Sequence, residues 1–216
     1  MLFRSLLLAT LLVVALALAA ALASLVQVRK AEVDRIAAAT LERETWVGQG
    51  PRNPHSAAHF ATWAFRPQTP LSVLDPGVTP YAGRAIWMEA HARNPAAARP
   101  VADSAAGGFA SGFSTAFLLQ LVVPLLLFGV GAGMVARERE RGTLRLALAS
   151  GAEAPALVWA KAGALTRIAA LIALPVAGAG LLAALLAGPA DPVRLLLWLL
   201  VHALFLMAIA AIAVAV

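Results

Sequence analysis

Three histidines between the first and second apolar segments have the side chain needed for metal chemistry. His55 and His59 are four residues apart, so a helix would place both imidazoles on one face, where they could chelate a metal ion. His91 lies further along, next but one to Glu89. Pro54 and its irregular surroundings weaken the helix that this spacing needs, and the chain has no cysteine. We predict structural histidines and no metal site, with a site formed by His55, His59 and His91 as the alternative.

A fourth histidine, His202, lies inside the last apolar segment. An ionisable residue within a membrane span indicates function by default, because its burial in lipid is costly. We predict that His202 hydrogen-bonds a neighbouring helix, and the alternative is that it lines a transport pathway. Pro124 and Pro175 interrupt the second and third apolar segments and are predicted points of helix bending.

A cluster of charges directly follows the second apolar segment. Arg137 and Glu140, and likewise Glu138 and Arg141, are three residues apart, which predicts ion pairs along a helix lying in water. Arginines alone would be expected at the cytoplasmic end of any span. The acids and the following leucines go beyond that requirement and favour a short interfacial segment that a partner contacts. Its candidate residues are Glu138, Arg139, Glu140, Arg141, Gly142, Thr143 and Leu144.

Several function classes find no support in the sequence. There is no G-x-x-x-x-G-K-[ST] pattern, so we predict that this chain is not an enzyme that hydrolyses ATP by that route and binds no cofactor itself. The net charge of +6 does not indicate nucleic-acid binding, because the cations flank apolar segments and form no separate basic domain.

The elements that carry these residues are predicted to be membrane-spanning helices. The chain is 61% hydrophobic, against about 45–50% in soluble domains. We predict an all-α membrane protein, a polytopic helical bundle of about four spans, because each span needs about 20 apolar residues. A cleaved signal peptide is the alternative for the first span. The sequence stops inside the fourth predicted span, so we expect it to be a fragment of a longer protein. The predicted spans are 5–28, 116–135, 168–188 and 193–216.

The segment 29–115 between the first two spans differs from the rest in composition. It contains eight of the thirteen prolines and three of the five tryptophans, too many aromatics for a disordered linker. We predict a small, irregular, folded domain of mixed structure. A helix over 29–47 is expected to rest its stripe of Val33, Ile36 and Leu41 on another element.

The positive-inside rule predicts the orientation of the spans. The connection 136–167 carries six Lys and Arg residues against three acids, whereas the turn 189–194 carries Arg194 alone. We therefore expect a cytoplasmic N-terminus and a cytoplasmic 136–167, with 29–115 and 189–193 on the outer side. This arrangement predicts a multi-pass protein of the cytoplasmic (inner) membrane, in contact with lipid.

The charged cluster resembles a family signature. Glu138, Glu140, Gly142, Thr143 and Leu144 match the E-x-E-x-G-T-L pattern of type 2 permeases of ATP-binding cassette (ABC) transporters. In that family the pattern follows the second span and forms the cytoplasmic coupling element. The stretch 53–91 is similar to the outer loop of a branch often labelled as components of multicopper-enzyme maturation systems. The departure is length, because family members carry further spans beyond the end of this sequence.

The resemblance implies a membrane-spanning, exporter-like permease subunit. It implies that residues 138–144 dock a separate ATP-binding subunit, which holds the ATP, and that a second permease subunit completes a homo- or heterodimer. The alternative is a membrane-anchored sensor or metal-delivery protein that acts through 29–115. The transported substrate does not follow from the sequence.

Overall fold

The computed structural model describes residues 2–99 and 113–215. The chain divides into two compact units. The first, which we call the helical unit, comprises Met1–Ala20, Thr115–Leu182 and Asp191–Val216. The second, which we call the proline-rich unit, comprises Ala21–Ser114 and Ala183–Ala190. Within the predicted domain 29–115, residues 100–112 lie outside the described part of the chain.

Long apolar helices dominate the described residues. Helix α1 spans Leu2–Gly48; α4 (Thr115–Phe117), a π-helical turn (Leu118–Val122) and α5 (Val123–Glu140) follow one another; and α6 (Thr143–Ala149), α7 (Ala154–Ala187) and α8 (Pro192–Ala215) complete the series. Within the described ranges, four helical stretches are long and apolar enough to cross a membrane: Thr10–Gly48, Thr115–Glu140, Ala154–Ala187 and Pro192–Ala215. The predicted all-α, multi-pass membrane fold is confirmed.

The helices extend beyond the predicted spans. The first span and the helix expected over 29–47 form one continuous helix, because no glycine or proline interrupts the chain before Gly48. That helix ends where Gly50 adopts a left-handed φ of 69° ahead of Pro51. The connection 136–167 is also largely helical, since Arg, Glu and Ala are good helix formers and extend α5 and α7 into it.

The core of the helical unit is a layer of small and branched apolar side chains. The opposite faces of the same helices expose leucines such as Leu174 and Leu200, at 70% and 51% exposure. This inverted distribution suits helices that meet lipid on their outer faces. The most completely buried core residues include Ala17, Ala20, Leu119, Val123, Leu127, Leu165, Val176 and Ala210.

Helices α5 and α8 come into close contact at a glycine. A Cβ placed on Gly131 would lie 2.7 Å from the carbonyl oxygen of Ala213 and 2.9 Å from its Cβ. Both distances are shorter than real Cβ contacts, so Gly131 is the residue that permits this approach. The neighbouring Gly129 has nothing within 4 Å of such a Cβ. Of the two, only Gly131 contributes to this helix contact.

A π turn precedes Pro124. Proline has no backbone N–H, so it cannot make the usual bond to the carbonyl four residues earlier, at Gln120, and its ring crowds that carbonyl. The widened turn Leu118–Val122 relieves that conflict, and regular α-helix resumes at Val123. Pro124 itself is buried in the unit.

The proline-rich unit combines short elements with the second part of α1. Its described elements are α2 (Pro54–Ala58), β1 (Thr62–Phe65), a 3₁₀ turn (Pro70–Val73), α3 (Thr79–Ala82) and β2 (Ala85–Met88). Strands β1 and β2 pair antiparallel, with Trp63 opposite Trp87 and their rings 5.2 Å apart. Two carboxylates of α1 hold this part of the chain: Glu42 accepts from the Trp63 N–H at 2.9 Å, and Glu32 accepts from the Gln68 N–H at 3.1 Å.

The apolar stripe predicted for residues 29–47 is not covered. Val33, Ile36 and Leu41 are each more than half exposed. The expectation that this stripe rests on another element of the described chain is wrong. The polar residues Glu32 and Glu42 make the contacts instead, because their carboxylates satisfy backbone N–H groups of the loop segments.

Candidate functional site

The segment 137–151 begins in the last turn of α5, and we call it the coupling segment after the role that the sequence resemblance implies. The N–H of Arg141 still donates to the Arg137 carbonyl at 3.1 Å, but Gly142 then takes a left-handed conformation with φ 71°. A side chain disfavours that conformation, and glycine adopts it without cost from a Cβ. The chain therefore turns at Gly142 and starts a new helix at Thr143.

Helix α6 is a short piece held at both ends. The Thr143 hydroxyl donates to the Glu138 carbonyl at 3.3 Å, which ties the start of α6 to the end of α5. At the other end the Ser150 hydroxyl donates to the Ala147 carbonyl at 2.8 Å, and Gly151 turns with φ 96°. The result is a seven-residue helix bracketed by two left-handed glycines.

An ion pair joins the coupling segment to α7. The Lys161 Nζ lies 2.6 Å from the Glu138 Oε1, and the lysine side chain is only 13% exposed. This pair closes the base of the turn formed by α5, α6 and the start of α7. The sequence gives no sign of this pair, because spacing along the chain does not reveal a partner on another helix.

The ion pairs predicted within the charged cluster are not formed. Glu138 pairs with Lys161, and the Arg137 Nε donates instead to the Gly133 carbonyl of its own helix at 2.6 Å. Arg141 lies beyond the last residue of α5, Glu140, so it is not placed one helical turn from Glu138. The i,i+3 geometry that the prediction needed therefore does not exist at that position.

The outward face of α6 combines apolar and cationic side chains. Leu146 is 70% exposed, Leu148 is 43% exposed, and Arg145 between them is exposed as well. Thr143 is exposed and Leu144 half-buried. In the described residues Arg139, Glu140, Arg141 and Arg145 form no ion pair, so their charges are available to another molecule. Such a face can contact a protein surface or the polar surface of a membrane.

A polar contact lies inside the helical unit. The His202 Nε2 is 3.1 Å from the Gln120 Nε2, and the His202 Nδ1 is 2.8 Å from the Trp198 carbonyl. A carbonyl only accepts and an amide nitrogen only donates, so Nδ1 carries the proton and Nε2 accepts. This interhelical bond links the π turn to α8, and His202 is only 7% exposed. Sequence reasoning missed Gln120, although it is the one polar side chain in the apolar run 116–135.

Replacing His202 with leucine is expected to lower the free energy of unfolding by about 1 kcal/mol, the usual size of a hydrogen bond between membrane helices. Gln120→Leu removes the same bond from the other side. We expect the double variant to be less destabilised than the sum of the two single variants, measured by unfolding in mixed micelles. Strictly additive losses would mean that the two side chains are not energetically coupled.

Pro124 and Pro175, the two prolines inside predicted spans, lie in different helices. Pro124 is buried at the second residue of α5, whereas Pro175 is exposed within the continuous α7. Their role in the structure is therefore local: each removes one N–H from a helical ladder.

The histidines of the proline-rich unit lie side by side at the surface. The His55 and His59 rings have centroids 4.7 Å apart, and His59 and His91 are 5.4 Å apart. The sequence suggested that Pro54 weakens a helix at His55 and His59. The structure shows that it does not. It occupies the first position of α2, where a missing N–H costs nothing, and the Asn53 side chain caps that helix by accepting from the His55 N–H at 2.9 Å. Within the described residues, no group of three or more His, Cys, Asp or Glu side chains is arranged to hold a metal ion.

Comparison of this chain with family models, with curated proteins and with solved structures found no match. The geometry of the coupling segment and the sequence pattern that it carries are therefore the basis for a functional assignment.

Proposed function

We propose that this chain is the membrane-spanning permease subunit of an exporter-like, type 2 ABC transporter. The observation that supports this most directly is the form of residues 138–149. A charged helix end, a left-handed glycine and a short exposed helix follow one another between two long apolar helices. The residues that resemble the family signature, Glu138, Glu140, Gly142, Thr143 and Leu144, make up this turn.

In this proposal the coupling segment faces the cytoplasm and docks a separate ATP-binding subunit. The six cations of 136–167 support the cytoplasmic side by the positive-inside rule. The N-terminus is then also cytoplasmic, residues 29–115 lie outside, and the membrane is the inner one. The exposed Leu146 supplies an apolar anchor, and Arg145 beside it supplies charge complementarity for an acidic partner groove.

The proposed mechanism uses the contacts around Glu138. Closure of the ATP-binding subunits would push on α6, and the Glu138–Lys161 pair at 2.6 Å would pass that displacement to both α5 and α7. Both helices contribute side chains to the same packed core, so a displacement of one helix would be transmitted to the other. A second permease subunit would complete the pathway. The transported substrate is not part of the proposal.

The proposal is tested by site-specific photocrosslinking in the producing cells. A photoreactive amino acid at Leu146 is expected to yield a covalent adduct with a protein that carries an ATP-binding P-loop, identified by mass spectrometry. The matched control is the equally exposed Tyr81 of the proline-rich unit, which should give no such adduct.

A companion variant separates docking from mere proximity. Glu138→Ala together with Glu140→Ala and Leu144→Ala should abolish copurification of the ATP-binding protein, whereas Leu200→Ala on an exposed face of α8 should not. Copurification that survives the triple substitution, or a Leu146 adduct only with lipid or with a protein lacking an ATPase fold, overturns the coupling assignment.

A further inference from the structure

A cavity of about 630 Å³ lies in the proline-rich unit, between α1 and the loops that follow β1 and precede β2. Pockets for small ligands are typically about 300–1,000 Å³. The cavity begins at Ser24 and Gln27, which belong to the charge-free run 5–28, and extends to the polar part of the unit. It therefore joins the end of a membrane-type helix surface to a region of charged side chains.

Cations dominate the polar part of this cavity. Lys30, Arg66 and Arg84 line it, and Asp34 is the acid among the lining residues. A further lining arginine, Arg35, is already paired with Glu32 at 2.6 Å. Within residues 2–99 and 113–215, no carboxylate lies within ion-pair distance of Lys30, Arg66 or Arg84. The cavity thus holds a local excess of positive charge, with Asp34 as its one lining carboxylate and no ion pair formed by these three cations in the described residues.

The two arginines lie opposite each other directly beyond the paired strands β1 and β2. Phe65 pairs with Ala85 at the end of the sheet, and the next backbone bond runs from the Arg66 N–H to the Arg84 carbonyl at 2.9 Å. Like charges that face each other across antiparallel strands destabilise the pair. Both arginines line the cavity, so an anion bound there would offset their repulsion, and guanidinium groups are suited to hydrogen-bonding a phosphate group.

Much of the remaining wall is apolar, although Ser, Thr and Gln side chains also line it. Val28, Ala31, Phe65 and Pro80 line the cavity beside the cations. A free inorganic anion would leave this surface without a partner, whereas a phosphate carried on an apolar body would cover it. The position of Ser24 and Gln27 within the apolar run of α1 gives such a body a route from the membrane.

We propose that this cavity binds the phosphate group of an anionic lipid, with Arg66 and Arg84 as the phosphate ligands and Lys30 as an additional cation. This site does not depend on the permease assignment, because its residues are all outside the coupling segment.

The test uses the full chain, delipidated in a neutral detergent. Binding of phosphatidylglycerol, of phosphatidylcholine and of inorganic phosphate is measured by native mass spectrometry and by the shift in melting temperature. We expect phosphatidylglycerol to bind at least tenfold more tightly than phosphatidylcholine and to raise the melting temperature. Arg66→Gln with Arg84→Gln should weaken that binding at least tenfold, whereas Arg93→Gln, an exposed arginine that does not line the cavity, should not.

Two further readouts separate binding from folding. Without lipid, the double glutamine variant should melt at the same temperature as the parent or higher, because the repulsion between opposing arginines is gone. Arg84→Glu should fold through a new pair with Arg66 and also lose lipid binding. If inorganic phosphate displaces phosphatidylglycerol as effectively as the lipid itself does, the cavity is a phosphate site whose ligand is the free anion and not a lipid. Equal phosphatidylglycerol binding by the parent and by both variants overturns the proposal.

Discussion

Gly142→Val is expected to increase trypsin cleavage after Arg145 at least tenfold in the purified protein. Gly142 has φ 71°, and a side chain in this left-handed conformation costs roughly 1–2 kcal/mol, with more for a β-branched residue. No atom lies within 4 Å of the position of an added Cβ, so the penalty comes from the backbone and not from a clash. The strain is relieved if α6 detaches from the Glu138 carbonyl and opens, which exposes Arg145 to the protease.

Two variants make this result specific. Gly142→Asn should retain most of the protection, because asparagine tolerates the left-handed region better than other residues with a side chain. Gly163→Ala replaces a glycine in the middle of α7 that also has open space around it, and it should leave the cleavage rate unchanged. If the valine variant is cut no faster than the parent, the left-handed turn is not what holds α6 in place.

Gly131→Leu is expected to lower the free energy of unfolding by about 3 kcal/mol, at the upper end of the usual effect of overpacking. Its Cβ would stand 2.7 Å from the Ala213 carbonyl oxygen, and a backbone atom of α8 cannot move aside as a flexible side chain can. Helices α5 and α8 must therefore separate, and the core contacts of Leu127 and Ala210 loosen with them. Equilibrium unfolding in mixed micelles measures the loss.

The matched control for this substitution is Gly129→Leu, two residues away on the same helix. Nothing lies within 4 Å of its added Cβ, and leucine is the better helix former, so its stability should match or slightly exceed that of the parent. Similar losses at both positions would show that helix propensity, and not the approach of α8, determines the effect.

The membrane fold was predictable because apolar runs of about 20 residues leave few alternatives. The ends of the helices were not, since Arg137 to Glu140 are charged but still helix-forming, and α5 continues through them until Gly142 turns the chain. Amino-acid composition shows which residues lie in lipid and which in water more clearly than it shows where a helix ends and a loop begins. Hence the predicted span 116–135 stops before the helix does.

Contacts between distant segments were the least predictable part of the candidate site. The sequence identified Glu138 and His202 as residues of interest, but it gave no sign that Lys161 and Gln120 are their partners. Periodicity reveals which face of a helix is apolar and not which helix packs against it. At His55 the error is local: a proline breaks a helix in its interior, but Pro54 stands at the first helical position, where it is favourable.

The π turn Leu118–Val122 also fixes an angular register. It holds one residue more than a regular α-helical turn would, and each residue of an α-helix advances the side-chain direction by about 100°. Loss of a single residue here would return the turn to α-helix and rotate Thr115–Phe117 by that angle relative to α5, without changing the apolar character of the span. A hydropathy profile would not register the change. The side chains before Gln120 would nevertheless point in a different direction relative to those after it, and the two sets could no longer both face their present neighbours. In this span the number of residues is as much a part of the specificity as their types.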